Sequence, residues 1–280
     1  LVGDGSYLVH QPMRYATASE ENSRIVTESA EALGCTVKRY KGRGAWHQLL
    51  IRGNGNRWHP EGVGKWLKQL GIYGQRSHEK RLPPGVFQLS DEKIGLLLRH
   101  LWATDGSICV RRAGTKGSHR VHFSTSSEGL AGDVAALLLR LGIVARTQVI
   151  HQKHYRPMYS VAVTGAEEQR AFLDRVGAFG PRVAPADRLA AVLDGVKANT
   201  NVDTLPIEVF AEVKAVMAAN GISPREMSRL RGVSYGGKTQ FEFSPSRSLI
   251  GQYAQKLSSS SLAQWAESDL FWDRIVAIEP

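Results

Sequence analysis

The feature that most constrains this fold is a duplication within the first 195 residues of the 280-residue chain. Residues 15–20 (YATASE) resemble residues 123–128 (FSTSSE), and the DGS triplet at residues 4–6 recurs at residues 105–107. Further matches pair residues 33–34 with 141–142 and residues 71–76 with 177–182. Because the matched blocks keep their order along the chain, they predict two copies of one structural unit.

Each copy is predicted to fold as an αββαββα unit, because helical spacing of apolar residues alternates with short strand-like runs. In the second copy, helices are predicted at 90–105, 130–141 and 167–176, and strands at 108–110, 121–124, 143–150 and 159–163. In the first copy, helices are predicted at 23–33 and 62–70, and strands at 36–40 and 47–52. Only three residues precede Asp4, so the first helix of that copy is expected to be truncated.

The two copies and a tail divide the chain into four predicted segments: residues 1–84, 85–195, 200–272 and 273–280. The tail has helical spacing at 207–219 and 247–257 and a capping box that starts at Ser223, and Ser258 to Ser261 are expected to form a short linker. Two helices around Gly221 fit either a helix-turn-helix or a helical packing module. In the helix-turn-helix alternative, Arg225, Arg229 and Arg231 would touch DNA.

Positive charge is confined to the duplicated part of the chain. The chain has 36 Lys and Arg residues against 26 Asp and Glu residues, which gives a net charge of +10. Residues 1–84 carry +6, residues 85–195 carry +4 and residues 196–280 carry none. Because a basic surface attracts phosphates, a nucleic-acid partner is expected, with ordinary solubility charge as the alternative.

Composition also excludes other classes of protein. A hydrophobic fraction of 42% excludes a disordered chain, and no apolar run is long enough to span a membrane. Cys35 and Cys109 cannot form a disulfide framework, so both are expected to be small core residues in a reducing compartment. The nine histidines lack metal-ligand spacing, so no zinc site is expected. The expected location is the cytoplasm, in association with the nucleoid.

Several motifs carry a resemblance to a known family. Residues 98–106 (LRHLWATDG) resemble the LAGLIDADG motif of homing endonucleases, and residues 1–5 (LVGDG) look like the end of a first copy of it. Residues 77–83 (SHEKRLP) are similar to the lysine-containing block between the two motifs of intein endonucleases. Residues 268–280, together with residues 230–235, resemble mycobacterial-type inteins in replicative DNA helicases. The splicing residues at the two ends of a whole intein are absent, so this chain is not expected to splice.

The resemblance implies an α+β fold of two pseudo-symmetric αββαββα LAGLIDADG endonuclease repeats with a C-terminal, helix-turn-helix-like subdomain. It also implies that Asp4 and Asp105 are catalytic and bind Mg²⁺ or Mn²⁺, with the backbone carbonyls of Gly3 and Thr104 assisting. Carboxylates at helix ends suit this role, because Mg²⁺ prefers oxygen ligands and the last helical carbonyls are free. Without the repeat and the motif, each Asp-Gly pair would be an ordinary turn.

Lys80, in the lysine-containing block, is a candidate catalytic residue that acts in the water network or stabilises phosphate charge. The alternative is an ordinary surface lysine near prolines. Arg188 lies near the equivalent place in the second copy, although it is not in register, and is a weaker candidate.

Basic and polar residues on or between the predicted strands are candidate DNA contacts. Alternate residues of a strand share one face, and such a face can lie in the major groove. The candidates in the first copy are Arg14, Lys38, Arg39, Lys41, Arg43, His47 and Arg52. Those in the second copy are Arg111, Arg112, Lys116, Arg120, Arg146, Gln148, Lys153, His154 and Arg156.

These observations give the hypothesis of an intein-encoded homing endonuclease. It is expected to be a monomer with an internal pseudo-two-fold, embedded between the splicing-domain halves of an intein. It would cleave both strands of a long, asymmetric double-stranded DNA site in the intein-free host gene. The alternative is a DNA-binding protein of the same fold, or a degenerate intein domain, without cleavage. A plain helix-turn-helix repressor would leave the duplication unexplained.

Overall fold

The computed structural model describes residues 1–56, 58–112, 114–115, 118–196, 204–270 and 272. It divides into two compact units, Leu1–Lys197 and Ala198–Pro280. The first unit contains two four-stranded antiparallel sheets with their helices, which confirms the predicted α+β class. No helix among the described residues is long and apolar enough to cross a membrane. The predicted terminal segment 273–280 and residues 200–203 of the predicted tail lie outside the described residues.

The first repeat forms one sheet and two helices. Its strands are β1 (Gly5–Ser6), β2 (Met13–Thr17), β3 (Thr36–Lys41) and β4 (His47–Arg52). They lie in the order β1-β2-β4-β3, and all neighbours are antiparallel. Helix α1 (Glu20–Ala32) connects β2 to β3, and α2 (Gly62–Gln69) follows β4.

The second repeat has the same sheet topology. It comprises α3 (Asp91–Asp105), β5 (Gly106–Cys109), β6 (Arg120–Thr125), α4 (Glu128–Arg140), β7 (Ala145–Ile150), β8 (Met158–Val163), α5 (Ala166–Arg175) and α6 (Val183–Leu193). Its strand order, β5-β6-β8-β7, repeats that of the first sheet element by element. The identical order confirms the two-repeat architecture that the sequence predicts.

Equivalent serines start the helix that follows the second strand of each sheet. Ser19 Oγ accepts a hydrogen bond from the Asn22 N–H at the start of α1, and Ser127 Oγ accepts one from the Leu130 N–H at the start of α4. Both N–H···O distances are 3.1 Å. These caps satisfy otherwise free helical N–H groups. They explain why α1 begins at Glu20, before the predicted start at residue 23.

An apolar cavity of about 730 Å³ lies between the first repeat and residues of α3 that include Leu97 and Leu101. In the second repeat, the ring of Trp102 from α3 packs on Phe123 and Phe172, at centroid distances of 5.6 and 4.8 Å. The equivalent residues of the first repeat, Tyr15 and Trp66, line the cavity instead. The cavity therefore occupies, in the first repeat, the place that α3 occupies in the second.

Several sequence predictions need correction. Strands β1 and β2 and helix α6 are absent from the predicted elements. Helix α6 follows a short Gly-Pro turn, and β2 lies in the duplicated block whose second copy contains the predicted strand 121–124. Of the stretch predicted as a linker, Ser258 to Ser261, only Ser258 and Ser259 connect two helices, and Ser260 and Ser261 begin helix α10 (Ser260–Glu267). Ser259 caps that helix by accepting the Leu262 N–H, so a serine run that resembles a linker acts as a helix start.

Over its described residues, the second unit is a small helical module. It contains α7 (Val209–Ala219), α8 (Pro224–Leu230), α9 (Arg247–Leu257) and the α10 helix. Its core includes Phe210, Val213, Met227, Ile250 and Tyr253, all at most 2% exposed. Helices α7 and α8 flank the predicted turn at Gly221, and Ser223 caps α8 as the sequence predicts.

Candidate functional site

The residues before the two motif aspartates are in direct contact with each other. A Cβ added to Gly3 would lie 2.0 Å from Oγ1 of Thr104 and 2.9 Å from Oδ2 of Asp105. Only a glycine allows this approach, because any side chain at position 3 would collide with Thr104. Asp105 is the last residue of α3 and Asp4 directly precedes β1, so the contact brings the two aspartates together.

The two carboxyl groups are partly buried and influence each other electrostatically. Burial, followed by the negative charge of Asp4, raises the pKa of Asp105 to about 6. Burial also raises the pKa of Asp4, against the opposing effect of nearby positive charges that include Lys80 and Arg182. Two acids whose charged forms are disfavoured in this way form a site that favours a bound cation.

Lys80 is a buried part of this site rather than an ordinary surface lysine, since only 7% of the residue is exposed. Its ammonium donates to the carbonyl oxygens of Gly3 at 2.5 Å and Gly5 at 3.0 Å. It also lies 5.7 Å from the centroid of the Tyr7 ring. Burial lowers the pKa of Lys80, while Asp105 and Asp4 act in the opposite direction. Lys80 therefore holds the backbone on both sides of Asp4.

Arg182 performs the equivalent task in the second repeat. Its guanidinium donates to the carbonyl oxygens of Trp102 at 3.3 Å and Thr104 at 3.2 Å. Lys80 and Arg182 thus each bind the carbonyl of the residue just before a motif aspartate. The weaker sequence candidate, Arg188, is an exposed residue of α6. The signal for Arg182 was present in the sequence, because it lies in the duplicated block at residues 177–182.

The donor set fits a divalent metal ion. Asp4 and Asp105 supply carboxylate oxygens, and the carbonyls of Gly3 and Thr104 keep a second lone pair beside the one used by Lys80 or Arg182. The described residues contain no cluster of three or more His, Cys, Asp or Glu side chains suited to a metal. The site is therefore a two-carboxylate site, whose hard oxygen donors match Mg²⁺ or Mn²⁺.

The eight strands contain no aspartate or glutamate, but they contain seven lysines and arginines. Residues directly opposite each other in an antiparallel pair share a face of the sheet. Burial alternates along β2, β4 and β6, so one face of each sheet packs on helices and the other is open. Strands β1 and β5 begin at the residues after Asp4 and Asp105. The open faces therefore extend from the candidate metal site.

The registers divide the predicted DNA contacts into two groups. The open faces carry Arg14, Lys38, Arg52, Arg120, Arg146 and Gln148. The helix-side face of the first sheet carries Arg39, Lys41 and His47, which pair with or neighbour buried positions. Arg39 forms a bidentate ion pair with Glu20 at the start of α1, at 2.6 and 2.7 Å. The open-face group is thus the better placed of the two for a large polyanion.

The remaining predicted contacts lie in loops. Arg43 is in the β3–β4 turn, Lys153, His154 and Arg156 are in the β7–β8 turn, and Arg111 and Arg112 follow β5. Lys116 lies outside the described residues. His122 was not among the predicted contacts, but it lies on the open face opposite Ser107 and beside Arg120. Its position in a short alternating strand was the available signal.

Two further predictions concern cysteines and the second unit. Cys35 is buried as expected, but Cys109 is exposed, because it ends β5 on the open face of the sheet.

In the second unit, the predicted contact Arg225 lies over the Tyr235 ring, and Arg231 donates to the Tyr253 hydroxyl at 3.0 Å. These arginines are therefore held in place by aromatic neighbours.

A comparison with protein families matches the part of the chain that contains the intact motif. Residues 92–177 match the family model described as LAGLIDADG-like domain. This span runs from the first turn of α3, through Asp105 and the whole second sheet, to the end of α5.

Known proteins with similar sequences or folds were also found. The chain is 38% identical to the replicative DNA helicase DnaB of Rhodothermus marinus over 293 residues, covering all of this chain and 30% of the helicase. It is 26% identical to the RecA protein of Mycobacterium tuberculosis over 227 residues, covering 75% of this chain and 28% of RecA. The chain thus spans about a third of the length of the curated relatives it matches. A crystal structure of the LAGLIDADG meganuclease I-AabMI bound to uncleaved DNA has a TM-score of 0.44 and 11% identity, covering 85% of this chain and 96% of that chain.

Proposed function

We propose that this chain is a homing endonuclease domain that hydrolyses both strands of a long, specific double-stranded DNA site. The observation that carries the proposal is the contact of Gly3 with Thr104, which joins the two motif aspartates beside Lys80 and Arg182. One carboxylate from each repeat supplies one acidic group for each strand of a duplex. The open, carboxylate-free sheet faces that begin at this site supply the surface on which the duplex would lie.

The residues of the site have separable roles in this mechanism. Asp4 and Asp105 would hold the metal and, through their carboxylate oxygens, would orient an attacking water. Lys80 and Arg182 fix the backbone of the two motif ends and add positive charge beside the scissile phosphates. The basic side chains of the open faces position the phosphodiester backbone. Bound Mg²⁺ or Mn²⁺ would supply Lewis-acid stabilisation of the charge that develops on the phosphate.

The comparisons support an origin of the chain within an intein. A replicative helicase and RecA each contain, in less than a third of their length, a region similar to this chain. A region that recurs inside otherwise different proteins has the pattern of an inserted element. We therefore place the domain between the halves of a splicing domain, and its DNA site at the uninterrupted insertion point of the host gene. We further propose that the domain is a monomer with two internal repeats and that it acts on nucleoid DNA in the cytoplasm.

The proposal is tested by removing the negative charge of one motif aspartate. The chain is expressed with the residues that its gene encodes on either side, and Asp105→Asn is compared with the parent. The substrate is a duplex that spans the uninterrupted insertion point. Loss of metal stabilisation is worth several kcal/mol, and each ~1.4 kcal/mol is tenfold in rate. Cleavage in Mg²⁺ should therefore fall by at least about a hundredfold.

Binding provides the control for this experiment. Asp105→Asn keeps the size of the side chain and removes a negative charge near phosphates, so affinity for the same duplex should stay equal or increase. If the variant cleaves as fast as the parent, the assigned site is wrong. If the parent binds tightly but never cleaves in Mg²⁺ or Mn²⁺, the chain is a DNA-binding protein of this fold without nuclease activity.

A further inference from the structure

The two sheets end in hairpin turns that share an unusual composition. Tip 1 comprises residues 42–46 between β3 and β4, and tip 2 comprises residues 151–157 between β7 and β8. The strand orders make these two turns equivalent in the two repeats. Each tip presents one large, exposed aromatic ring: Trp46 is 56% exposed and Tyr155 is 79% exposed.

The backbone holds both rings in the same way. The N–H of Trp46 donates to the carbonyl of Arg43 at 3.2 Å, and the N–H of Tyr155 donates to the carbonyl of Gln152 at 3.2 Å. In each tip the aromatic residue is therefore the last residue of a closed four-residue turn. The tight turn fixes the backbone of the aromatic residue before any partner binds. This reduces the conformational entropy that is lost on binding.

The charge around both rings has one sign. Tip 1 and its flanking residues contain Lys41 and Arg43, and tip 2 contains Lys153 and Arg156 with two histidines. No aspartate or glutamate occurs in residues 41–47 or 150–158. Nearby acidic groups are already paired: Glu20 binds Arg39, and Glu128 accepts from the Tyr159 hydroxyl at 3.2 Å. A partner of negative charge with flat apolar surfaces fits this combination.

The positions of the tips relative to the aspartates define which part of the partner they would reach. Each tip joins the two strands farthest from β1 or β5, which lie two and three strand spacings from the strand that follows Asp4 or Asp105. At about 4.8 Å per spacing, these distances are about 10 and 14 Å, or roughly three to four base pairs of duplex DNA. Because the equivalent residues Gly3 and Thr104 touch, an approximate two-fold axis between the repeats passes there. The two tips therefore lie on opposite sides of the aspartate pair.

We infer that Trp46 and Tyr155 grip duplex DNA on the two flanks of the cleavage site, with each ring packed against sugar and base edges and its basic neighbours on the phosphates. This inference rests on the proposed function and extends it to two contact points that lie outside the sheet faces. Aromatic side chains gain large contact area at low entropic cost, and apolar rings can wedge at base steps. The tips thereby set the length of DNA that the domain requires.

The test uses hydroxyl-radical footprinting of the full chain, without divalent metal, on a duplex selected by the parent protein from a random library. Trp46→Ala should lose protection on one flank only, about three or more base pairs from the centre. Tyr155→Ala should lose protection on the opposite flank only. Each variant should bind about tenfold more weakly, and the double variant about a hundredfold, since distant sites add independently. Trp46→Phe and Tyr155→Phe keep a ring and should retain both the footprint and most of the affinity.

Trp58→Ala is the matched control, because Trp58 is 79% exposed but lies beyond the opposite end of β4. Its footprint should equal that of the parent. Unchanged footprints for both tip variants, or loss on the same flank for both, would overturn the inference while leaving the proposed function intact. Failure of the parent to select any duplex would overturn the proposed function and the inference together.

Discussion

At the scale of single residues, the candidate site depends on two cations that hold backbone carbonyls. Lys80 binds the carbonyl of Gly3, and Arg182 binds the carbonyl of Thr104. The pKa values of both aspartates are raised by burial, and both cations counteract this effect. The cations therefore position the backbone of the candidate metal site and oppose the rise in the pKa of both carboxyl groups.

This arrangement predicts a pH effect for Arg182→Gln. Metal binding requires deprotonated carboxylates, so cleavage should fall as the pH decreases through the pKa of Asp105, which lies at about 6. Removing the positive charge of Arg182 should raise that pKa further. The acid limb of the pH–rate profile should then move to higher pH, and the loss of cleavage relative to the parent should be larger at pH 6 than at pH 8.

The neighbouring arginine Arg188 provides a matched control for that experiment. It is an exposed residue of α6, and Arg188→Gln should leave the pH–rate profile unchanged. Equal effects of the two variants would show that Arg182 acts only through the general charge of the protein and not through the carbonyls of Trp102 and Thr104.

At the scale of secondary-structure elements, the decisive contact lies between the end of α3 and the start of β1. Gly3→Ala would place a Cβ 2.0 Å from the Thr104 hydroxyl oxygen. Relief of this overlap requires the two motif ends to separate. The free energy of unfolding should therefore decrease by about 1–3 kcal/mol, as measured by urea denaturation, and cleavage should fall with it.

Gly132→Ala is the control at the element scale. Gly132 is an exposed residue of α4, and an added Cβ would meet nothing within 4 Å. Since alanine favours a helix over glycine, this variant should raise the free energy of unfolding by up to about 1 kcal/mol. A Gly3→Ala protein as stable and as active as the parent would contradict the close packing of the motif ends.

At the scale of the whole molecule, the positive charge belongs to the first unit and the second unit is nearly neutral. With roughly 6–10 phosphate contacts, affinity for duplex DNA should fall by about 10³–10⁵ between 50 and 200 mM salt. Replacing the open-face residues Arg120 and Arg146 by alanine should reduce the slope of log affinity against log salt by about 2. Fluorescence anisotropy at several salt concentrations measures both quantities.

Arginines of the second unit provide the control for the salt experiment. Replacing Arg225 and Arg229 by alanine should leave the salt slope near that of the parent if the unit is a packing module. A slope reduced as much as by the open-face pair would instead show that α8 binds phosphates as the helix-turn-helix alternative expects. A salt response that is flat in the parent would contradict the DNA interface altogether.

The sequence by itself determined the repeated architecture and the two aspartates. Duplicated blocks and helical spacing depend on neighbouring residues, so they are readable along the chain, whereas the caps Ser19 and Ser127 were not predicted. Lys80 could be predicted as a site residue because the block that contains it resembles a family motif. Isolated elements were less readable: the serines before α10 have the composition of a linker, although Ser259 caps that helix.

Only the tertiary structure decided which distant groups meet. Arg182 reaches Thr104 across 78 positions of the chain, and Lys80 reaches Gly3 across 77. Strand register placed Arg146 on an open face and Arg39 against Glu20, although both are exposed arginines in strands. Register and long-range contacts arise from the packing of many residues at once, and a shift of one residue reverses the face of every side chain in a strand. No local pattern in the sequence carries that information.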